Sequence, residues 1–382
     1  MDTRPPIETT VPTEVLSVSF NNTASHFTLG LNSGYAVYET NTCALWSMKN
    51  LHGPINIVEM LEQTNFLALV SRVSHSHFAQ TKVVAWDDST DKRGMDISLL
   101  QPVRGVLLGS LLGQRHVVVV LRDSVRLYTF AKKPEFITHY ETASNPLGIC
   151  VMSDRLLALP GNTPGHVQLV DRATKTVNII PAHNSPLRVI QISRDGDMLA
   201  TASDKGTLIR IWSTKTRARL AELRRGVDSS TIYHLAFNPS GTMLACTSDK
   251  STLHIFDVPQ GNQPRPSSQG ASGMDDDLAS TSQDDGKSKW GFLGKVPFMP
   301  RVFSDTYSFA SAMFESREDP STGTSKAQQG VIGWVDDSCL VVVGAGRDSK
   351  WEKFVIRKVE GAPDGRRECI RDGWKHCLGG AR

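Results

Sequence analysis

One stretch of this chain occurs twice. LRVIQISRDGDMLATASDKGTL, residues 187–208, aligns without gaps to IYHLAFNPSGTMLACTSDKSTL, residues 232–253, at an offset of 45. Nine of the 22 positions are identical: Gly196, Met198, Leu199, Ala200, Ser203, Asp204, Lys205, Thr207 and Leu208 each recur at the shifted position. That period falls in the range of a four-stranded propeller blade. Each copy reads as an alternating strand, a polar turn, a small-residue strand, a Ser-Asp-Lys turn and a β-branched or aromatic strand. Asp195-Gly196 and Ser240-Gly241 supply the tight-turn dipeptides between the apolar runs.

Fainter copies of the layout lie at residues 16–38, 103–130, 147–171 and 330–359. At about 40–45 residues per blade the chain holds seven blades. The expectation is an all-β, seven-bladed β-propeller of WD-repeat type, one unit over 12–378, with no ordinary helix outside a single interruption. That interruption, 259–304, follows Val258. Its first half, to about Lys289, is rich in Ser, Gly, Asp, Gln and Pro, and centres on Asp275-Asp276-Asp277. Such a composition cannot bury enough apolar surface to order itself, so it reads as a long disordered loop inside blade six. The second half turns apolar and basic: Trp290, Phe292, Leu293, Phe298, Met299 and Phe303, with Lys287, Lys289, Lys295 and Arg301 among them. Blade six resumes at Tyr307–Glu315. The alternating segment Arg366–Leu378 reads as a closing strand, and in propellers the two termini commonly share a blade, which removes exposed edges.

Composition excludes more than it selects. Lys plus Arg outnumber Asp plus Glu by 42 to 39, too little for wholesale nucleic-acid binding, so any anion site depends on local placement. The six cysteines (Cys43, Cys150, Cys246, Cys339, Cys369 and Cys377) form no CxxC pair or disulfide framework. The N-terminus lacks a signal-peptide core, and no run reaches the roughly 20 apolar residues of a membrane span. The chain is expected in the cytoplasm, with only peripheral membrane contact. There is no GxSxG, HExxH, Walker loop or dinucleotide fingerprint, and no pair of histidines at a metal-ligand spacing, so neither an enzyme nor a bound cofactor is expected.

The string with chemical content is Leu223-Arg224-Arg225-Gly226, at the end of blade five. Neighbouring side chains on a strand face opposite ways, so the two arginines enter different spaces. Gly226 lets the chain turn out of the strand. A guanidinium fork suits phosphate oxygens, more so when Ser, Thr or His completes the shell. The repeats supply such groups twice: His183, Ser203, Thr207, Arg210 and Arg224 on the blade-five side, and Arg225, Ser248, Thr252 and His254 on the blade-six side. Ser203 matches Ser248 and Thr207 matches Thr252; one extra residue then puts Arg210 in the part of His254. Ser203-Asp204 and Ser248-Asp249 are equally ordinary turn residues of WD-type blades, and either histidine alone would read as structural. Two adjacent unpaired charges at a blade edge, however, call for anionic partners.

From His183 to Val258 the chain resembles the PROPPIN family of phosphoinositide-binding β-propellers, which includes the WIPI proteins. The resemblance rests on the (Phe/Leu)-Arg-Arg-Gly motif at 223–226, on SDKGTLIRIW at 203–212 and on SDKSTLHIFDV at 248–258. Blade four, from Asn145-Pro146-Leu147-Gly148 to Asp171, and blade one, Val15–Tyr38, look similar as well. The resemblance implies two headgroup sites, Arg224 serving one and Arg225 the other, for phosphatidylinositol 3-phosphate and 3,5-bisphosphate. Leu223 in place of Phe resembles the leucine-motif branch, and Ser251 stands where the first copy has Gly206. The resemblance further implies that the blade-six segment inserts into the membrane; the competing reading folds it back over the propeller side. It also implies partners: the lipid-transfer protein of autophagy, bound near Ser74–Gln80 and Asp87–Gly94.

The leading expectation is therefore a monomeric, non-enzymatic effector on preautophagosomal, endosomal or vacuolar membranes that recruits trafficking proteins. The alternative is a WD-type scaffold that binds proteins only, its arginines pairing with acidic partners.

Overall fold

The structure, a computed structural model, describes residues 13–75, 77–259, 306–314, 316–318, 325–327, 329–362 and 366–378. The described residues form seven blade sheets arranged as a β-propeller, as the repeat count predicts: six have four antiparallel strands, blade five carries a fifth, parallel strand, and Ser316–Glu318 pairs with Ser325–Ala327 in a separate two-stranded sheet. Blade one runs Val15–Phe20, His26–Leu31, Gly34–Glu39 and Leu45–Asn50. Blade five runs Leu187–Ile192, Met198–Ser203, Leu208–Ser213 and Arg219–Arg224, and blade six Ile232–Phe237, Met243–Ser248, Thr252–Asp257 and Ala310–Met313. Blade seven ends the ring with Gly330–Trp334, Cys339–Gly344, Lys350–Lys358 and Arg367–His376.

The second strand of each repeat explains why its apolar runs are continuous rather than alternating. Met198–Ser203 and Met243–Ser248 are buried at every position because both faces lie against neighbouring blades. Outer strands have water on one side, and Leu45–Asn50 is mostly exposed. The turn glycines take the left-handed backbone that the Asp-Gly and Ser-Gly dipeptides announce, with φ of +77° at Gly196 and +69° at Gly241.

No blade has a core of its own; the apolar clusters lie between blades. Ile209, Ile211 and Leu223 of blade five interlock with Leu235, Leu244, Cys246 and Phe256 of blade six. Phe27, Leu29 and Tyr38 of blade one interlock with Val341, Val343 and Trp351 of blade seven. Each large side chain so buried contributes about 1.5–3 kcal/mol.

Ring closure departs from expectation. Among the described residues the two end strands do not share a blade: the first belongs to blade one and the last to blade seven. Blade seven finds all four strands in its own consecutive sequence, so none is left to exchange. The seam is closed by local bonds instead. Val15 and Gly346 exchange two backbone hydrogen bonds, at 3.0 and 2.8 Å. The Trp351 indole donates to the Thr40 carbonyl at 2.8 Å, and the buried Tyr38 hydroxyl donates to the Cys377 carbonyl.

Blade six takes its fourth strand, Ala310–Met313, from beyond the long interruption. Thr306–Tyr307 does not belong to blade six as expected but pairs in parallel with the outer edge of blade five, Thr306 beside Leu223 and Tyr307 beside Arg224. The six apolar residues Trp290 to Phe303 lie outside the described residues.

Removing one hydroxyl tests the seam. Tyr38→Phe leaves the Cys377 carbonyl without its donor, and we expect a loss of about 1–3 kcal/mol. Urea unfolding should show a lower midpoint at unchanged slope.

Candidate functional site at the rim of blades five and six

The site is built from two related turns. In blade five, Ser203–Thr207 folds back with the Gly206 amide donating to the Ser203 carbonyl at 3.1 Å. In blade six, the Ser251 amide donates to the Ser248 carbonyl at the same distance, 3.1 Å. Both pivots are left-handed, φ +62° at Gly206 and +55° at Ser251. Only the first has no room for a side chain: a Cβ on Gly206 would sit 1.6 Å from the Ser230 carbonyl oxygen.

The ladders refine the match between the two copies. Arg210 stands opposite Thr201, and His254 opposite Cys246, so these two are equivalent as expected. The threonines are not. Ile209 pairs with Leu223 and Leu253 with Ala312, which puts Leu208, rather than Thr207, at the place of Thr252. The extra residue of the first copy is absorbed in the turn before the third strand, and Thr207 ends up in the turn itself. There its carbonyl accepts the Arg225 amide at 3.0 Å.

The three arginines have different surroundings. Leu223 is fully buried in the inter-blade core, which fixes the strand end that carries the other two. Arg224 is half-buried, its backbone between Leu208 on one side and Tyr307 on the other. Arg225 is buried, 7% exposed. Its Nε donates to the Gly206 carbonyl at 2.8 Å and its terminal nitrogen to the Asp228 carbonyl. Arg210 bonds Glu222 at 2.7 Å and the Ala182 carbonyl at 2.6 Å. The expectation of unpaired charges is therefore corrected, for a physical reason: a guanidinium this buried must be hydrogen-bonded to persist. The Gly206 and Asp228 carbonyls that Arg225 bonds are neutral, while its charge also acts on the nearby Asp249 carboxylate.

Arg225, one residue past the end of the Arg219–Arg224 strand, lies near blade six. Its charge helps hold the His254 imidazole neutral, behind the larger effect of burial, and it lowers the Cys246 thiol against burial. Thr252 and His254, two apart on one strand, share a face. Ser248 and Thr252 hydroxyls lie 3.0 Å apart, and His254 Nδ1 is 3.2 Å from the Ser308 hydroxyl. On the blade-five side, Ser203 is buried and Thr207 half-buried. His183 and Arg210 adjoin each other, and His183 Nε2 meets the Thr201 hydroxyl at 3.0 Å. The Trp212 indole donates to the same oxygen at 3.0 Å, so His183 also ties blade five together.

Sequence reasoning passed over several residues of this rim. Tyr307 and Ser308 reach it from beyond the interruption, and no local pattern signals that. Asp228, Ser229 and Ser230 form the wall behind Arg225, Ser229 and Ser230 donating to the Lys205 carbonyl. Lys205 and Lys250 had a legible signal, since the Ser-Asp-Lys turn repeats its lysine in both copies; Lys250 reaches Asp228 at 3.5 Å.

These features define a seven-bladed propeller with basic and hydroxyl side chains gathered at the rim of blades five and six. The PROPPIN family model matches residues 15–279, and the chain belongs to that family, one of binding proteins. Over nearly its whole length, 98% of each chain, it is 41% identical to SVP1-like protein 2 of Neurospora crassa. It is 46% identical to SVP1-like protein 2 of Emericella nidulans over 84% of this chain and 99% of the other. Autophagy-related protein 18e of Arabidopsis thaliana is 36% identical over 64% of this chain and 66% of its own. Among solved structures, Hsv2 of Kluyveromyces marxianus superposes with a TM-score of 0.72 at 21% identity, covering 96% and 99% of the two chains. Atg21 of Kluyveromyces lactis, in complex with the coiled coil of Atg16, superposes with a TM-score of 0.66 at 17% identity, covering 95% and 99%.

Two predictions follow from the pockets. Burial holds His183, His234 and His254 at about 4, below the usual 6.5. A depressed histidine makes the unfolded chain bind more protons between those values, so stability is full above about pH 6.5 and falls toward pH 4. Unfolding at pH 5 should take up nearly three protons at these sites, and His254→Gln should remove about a third of the loss in urea midpoint between pH 7.5 and 5. Gly206→Ala forces its methyl into the Ser230 carbonyl in a left-handed turn, and should cost more than about 2 kcal/mol by thermal unfolding. Ser251→Gly in the sister turn should be neutral or mildly stabilising.

Proposed function

We propose that the chain is a phosphoinositide effector that carries two headgroup sites. Site one comprises His183, Ser203, Thr207, Arg210 and Arg224; site two comprises Arg225, Ser248, Thr252 and His254. The observation that carries this reading is Arg225: a buried guanidinium held by the Gly206 and Asp228 carbonyls and near enough to blade six for its charge to act on the His254 imidazole. Such a cation is pre-organised for phosphate oxygens and gives up little freedom when one arrives. The ligands are phosphatidylinositol 3-phosphate and 3,5-bisphosphate, on preautophagosomal, endosomal or vacuolar membranes. Family membership and the autophagy-related name of the Arabidopsis relative support that assignment.

The chain returning at Thr306–Tyr307 beside Arg224 supports a role for the blade-six segment in the same contact. With the propeller unit spanning 12–378 and the insert 259–304, Trp290, Phe292, Leu293, Phe298, Met299 and Phe303 enter the lipid while the rim holds headgroups. Two modest sites and an inserted segment combine through effective concentration. Bound as a monomer in this way, the propeller leaves its other faces to recruit autophagy proteins, such as the family's lipid-transfer partner or a coiled coil of the kind seen with Atg21.

Liposome flotation tests the reading. Arg224→Thr and Arg225→Thr should each weaken binding to 3-phosphoinositide vesicles on the order of tenfold, and the double variant should abolish it. Arg225→Thr also removes the bonds to Gly206 and Asp228, so near-ultraviolet circular dichroism must first show a folded protein. A folded double variant that floats as well as wild type refutes the lipid reading in favour of a protein-only scaffold. Trp290→Asp/Phe292→Asp should weaken flotation while leaving binding to soluble headgroups intact.

A further inference from the structure

The seam between blade seven and blade one holds two cysteines that the lipid-binding rim does not use. Cys377 follows the last strand and is 3% exposed. Cys43 lies in the turn between the third and fourth strands of blade one, half-buried and packed against the cluster that contains Cys377. Sequence spacing says nothing of this, since 334 positions separate them.

Several bonds fix the two turns together. Lys375 donates to the Thr42 carbonyl at 2.7 Å, one residue from Cys43 and two from Cys377. The Tyr38 hydroxyl donates to the Cys377 carbonyl, and the Cys377 amide donates to the Ser349 carbonyl at 3.0 Å. The Cys43 turn is held by its own amide bonding the Glu39 carbonyl at 3.0 Å, with φ at +56°. The two thiols lie within hydrogen-bonding reach of each other.

We propose that Cys43 and Cys377 are a redox-responsive staple that covalently closes the propeller ring when a peroxide oxidises them. The other cysteines lack the requirements. Cys150, just before the strand Val151–Met152, and Cys246, within Met243–Ser248, are buried, and burial pushes the Cys246 and Cys369 thiols up to about 12. Cys43 differs: the hydrogen bond from Cys377 and the nearby Lys375 ammonium favour its thiolate over the opposing effect of burial. In the first step the Cys43 thiolate attacks a peroxide oxygen, the O–O bond breaks, and Cys43 becomes a sulfenic acid as hydroxide leaves and is protonated to water. In the second, the Cys377 sulfur attacks the Cys43 sulfur, the S–O bond breaks, and a second water leaves with the Cys377 proton. Two thiols lose two electrons and one hydrogen peroxide becomes two waters.

The experiment treats the full-length reduced protein with stoichiometric hydrogen peroxide, blocks remaining thiols with N-ethylmaleimide, and maps the digest by mass spectrometry. Cys43 and Cys377 should lose maleimide label in equal amounts and appear in one dithiothreitol-sensitive cross-linked peptide, with Cys150 and Cys246 unaffected. In Cys377→Ser, Cys43 should instead accumulate as a dimedone-trapped sulfenic acid. Oxidised wild type should unfold in guanidinium at least tenfold more slowly than reduced protein, and Cys43→Ser should show no such change. Peroxide consumption without the 43–377 cross-link overturns the proposal, as does equal unfolding of the oxidised and reduced forms. If Cys43→Ser folds poorly, Cys377→Ala with the dimedone readout gives the same decision.

Discussion

A blade cannot cover its own apolar faces, and everything else in this molecule depends on that. Leu199 and Leu244 sit in second strands that are dry only because another blade lies on each side. A ring of such units is no stronger than the join between its first and last members. Among the described residues that join has no exchanged strand. It relies on the Val15–Gly346 bridge, on side chains that cross from one blade to the other, and on a shared cluster around Phe27, Tyr38 and Trp351. Propellers remove edges by closing, and this one closes with hydrogen bonds and packing. The cysteines at the same place matter for that reason: a covalent link is most useful where topology supplies none.

The rim site is a by-product of repetition. Two turns of like sequence bring like hydroxyls to one edge, and the outer strand of blade five ends between them. Leu223 is held in the core, so the chain has no freedom to choose where Arg224 and Arg225 begin. The first turn then does something the second does not. Gly206 lets the Ser230 carbonyl approach closely, and its own carbonyl receives Arg225. One glycine thus admits the Ser230 carbonyl and holds the Arg225 cation. In the sister turn Ser251 has the same left-handed backbone, but there the ladder passes to Phe314, an apolar residue. The two turns are related in origin and unequal in construction.

Much of this was legible in the chain. The 45-residue offset gave the blade, the Asp-Gly and Ser-Gly dipeptides gave its turns, and the motif Leu-Arg-Arg-Gly gave the place of the cations. What was not legible depends on contacts between residues far apart in sequence. Nothing near Thr306 says that it will pair with blade five, because a two-residue parallel pairing has no periodicity to read. The register of Thr207 against Thr252 was misjudged because identity of residue type is a weaker guide than the ladder, which counts hydrogen bonds. The acceptors of Arg225 are backbone carbonyls, and any residue has one. Sequence therefore showed where charge would gather and could not show what would hold it.

That last point bears on how a site of this kind discriminates. A surface arginine meets any anion on equal terms, because it is mobile and screened by salt. Arg225 is neither. It is buried and two of its donors are committed to carbonyls, so its freedom to swing toward an arriving anion is small. In the proposed second site, an anion would have to meet this fixed cation and the hydroxyl pair of Ser248 and Thr252 together. His254, neutral at physiological pH, contributes a hydrogen bond rather than charge. The selectivity expected of such a pocket is geometric, set by the position of phosphates on a ring. Diffuse attraction to acidic membranes falls instead to the lysines that the two Ser-Asp-Lys turns carry beside it.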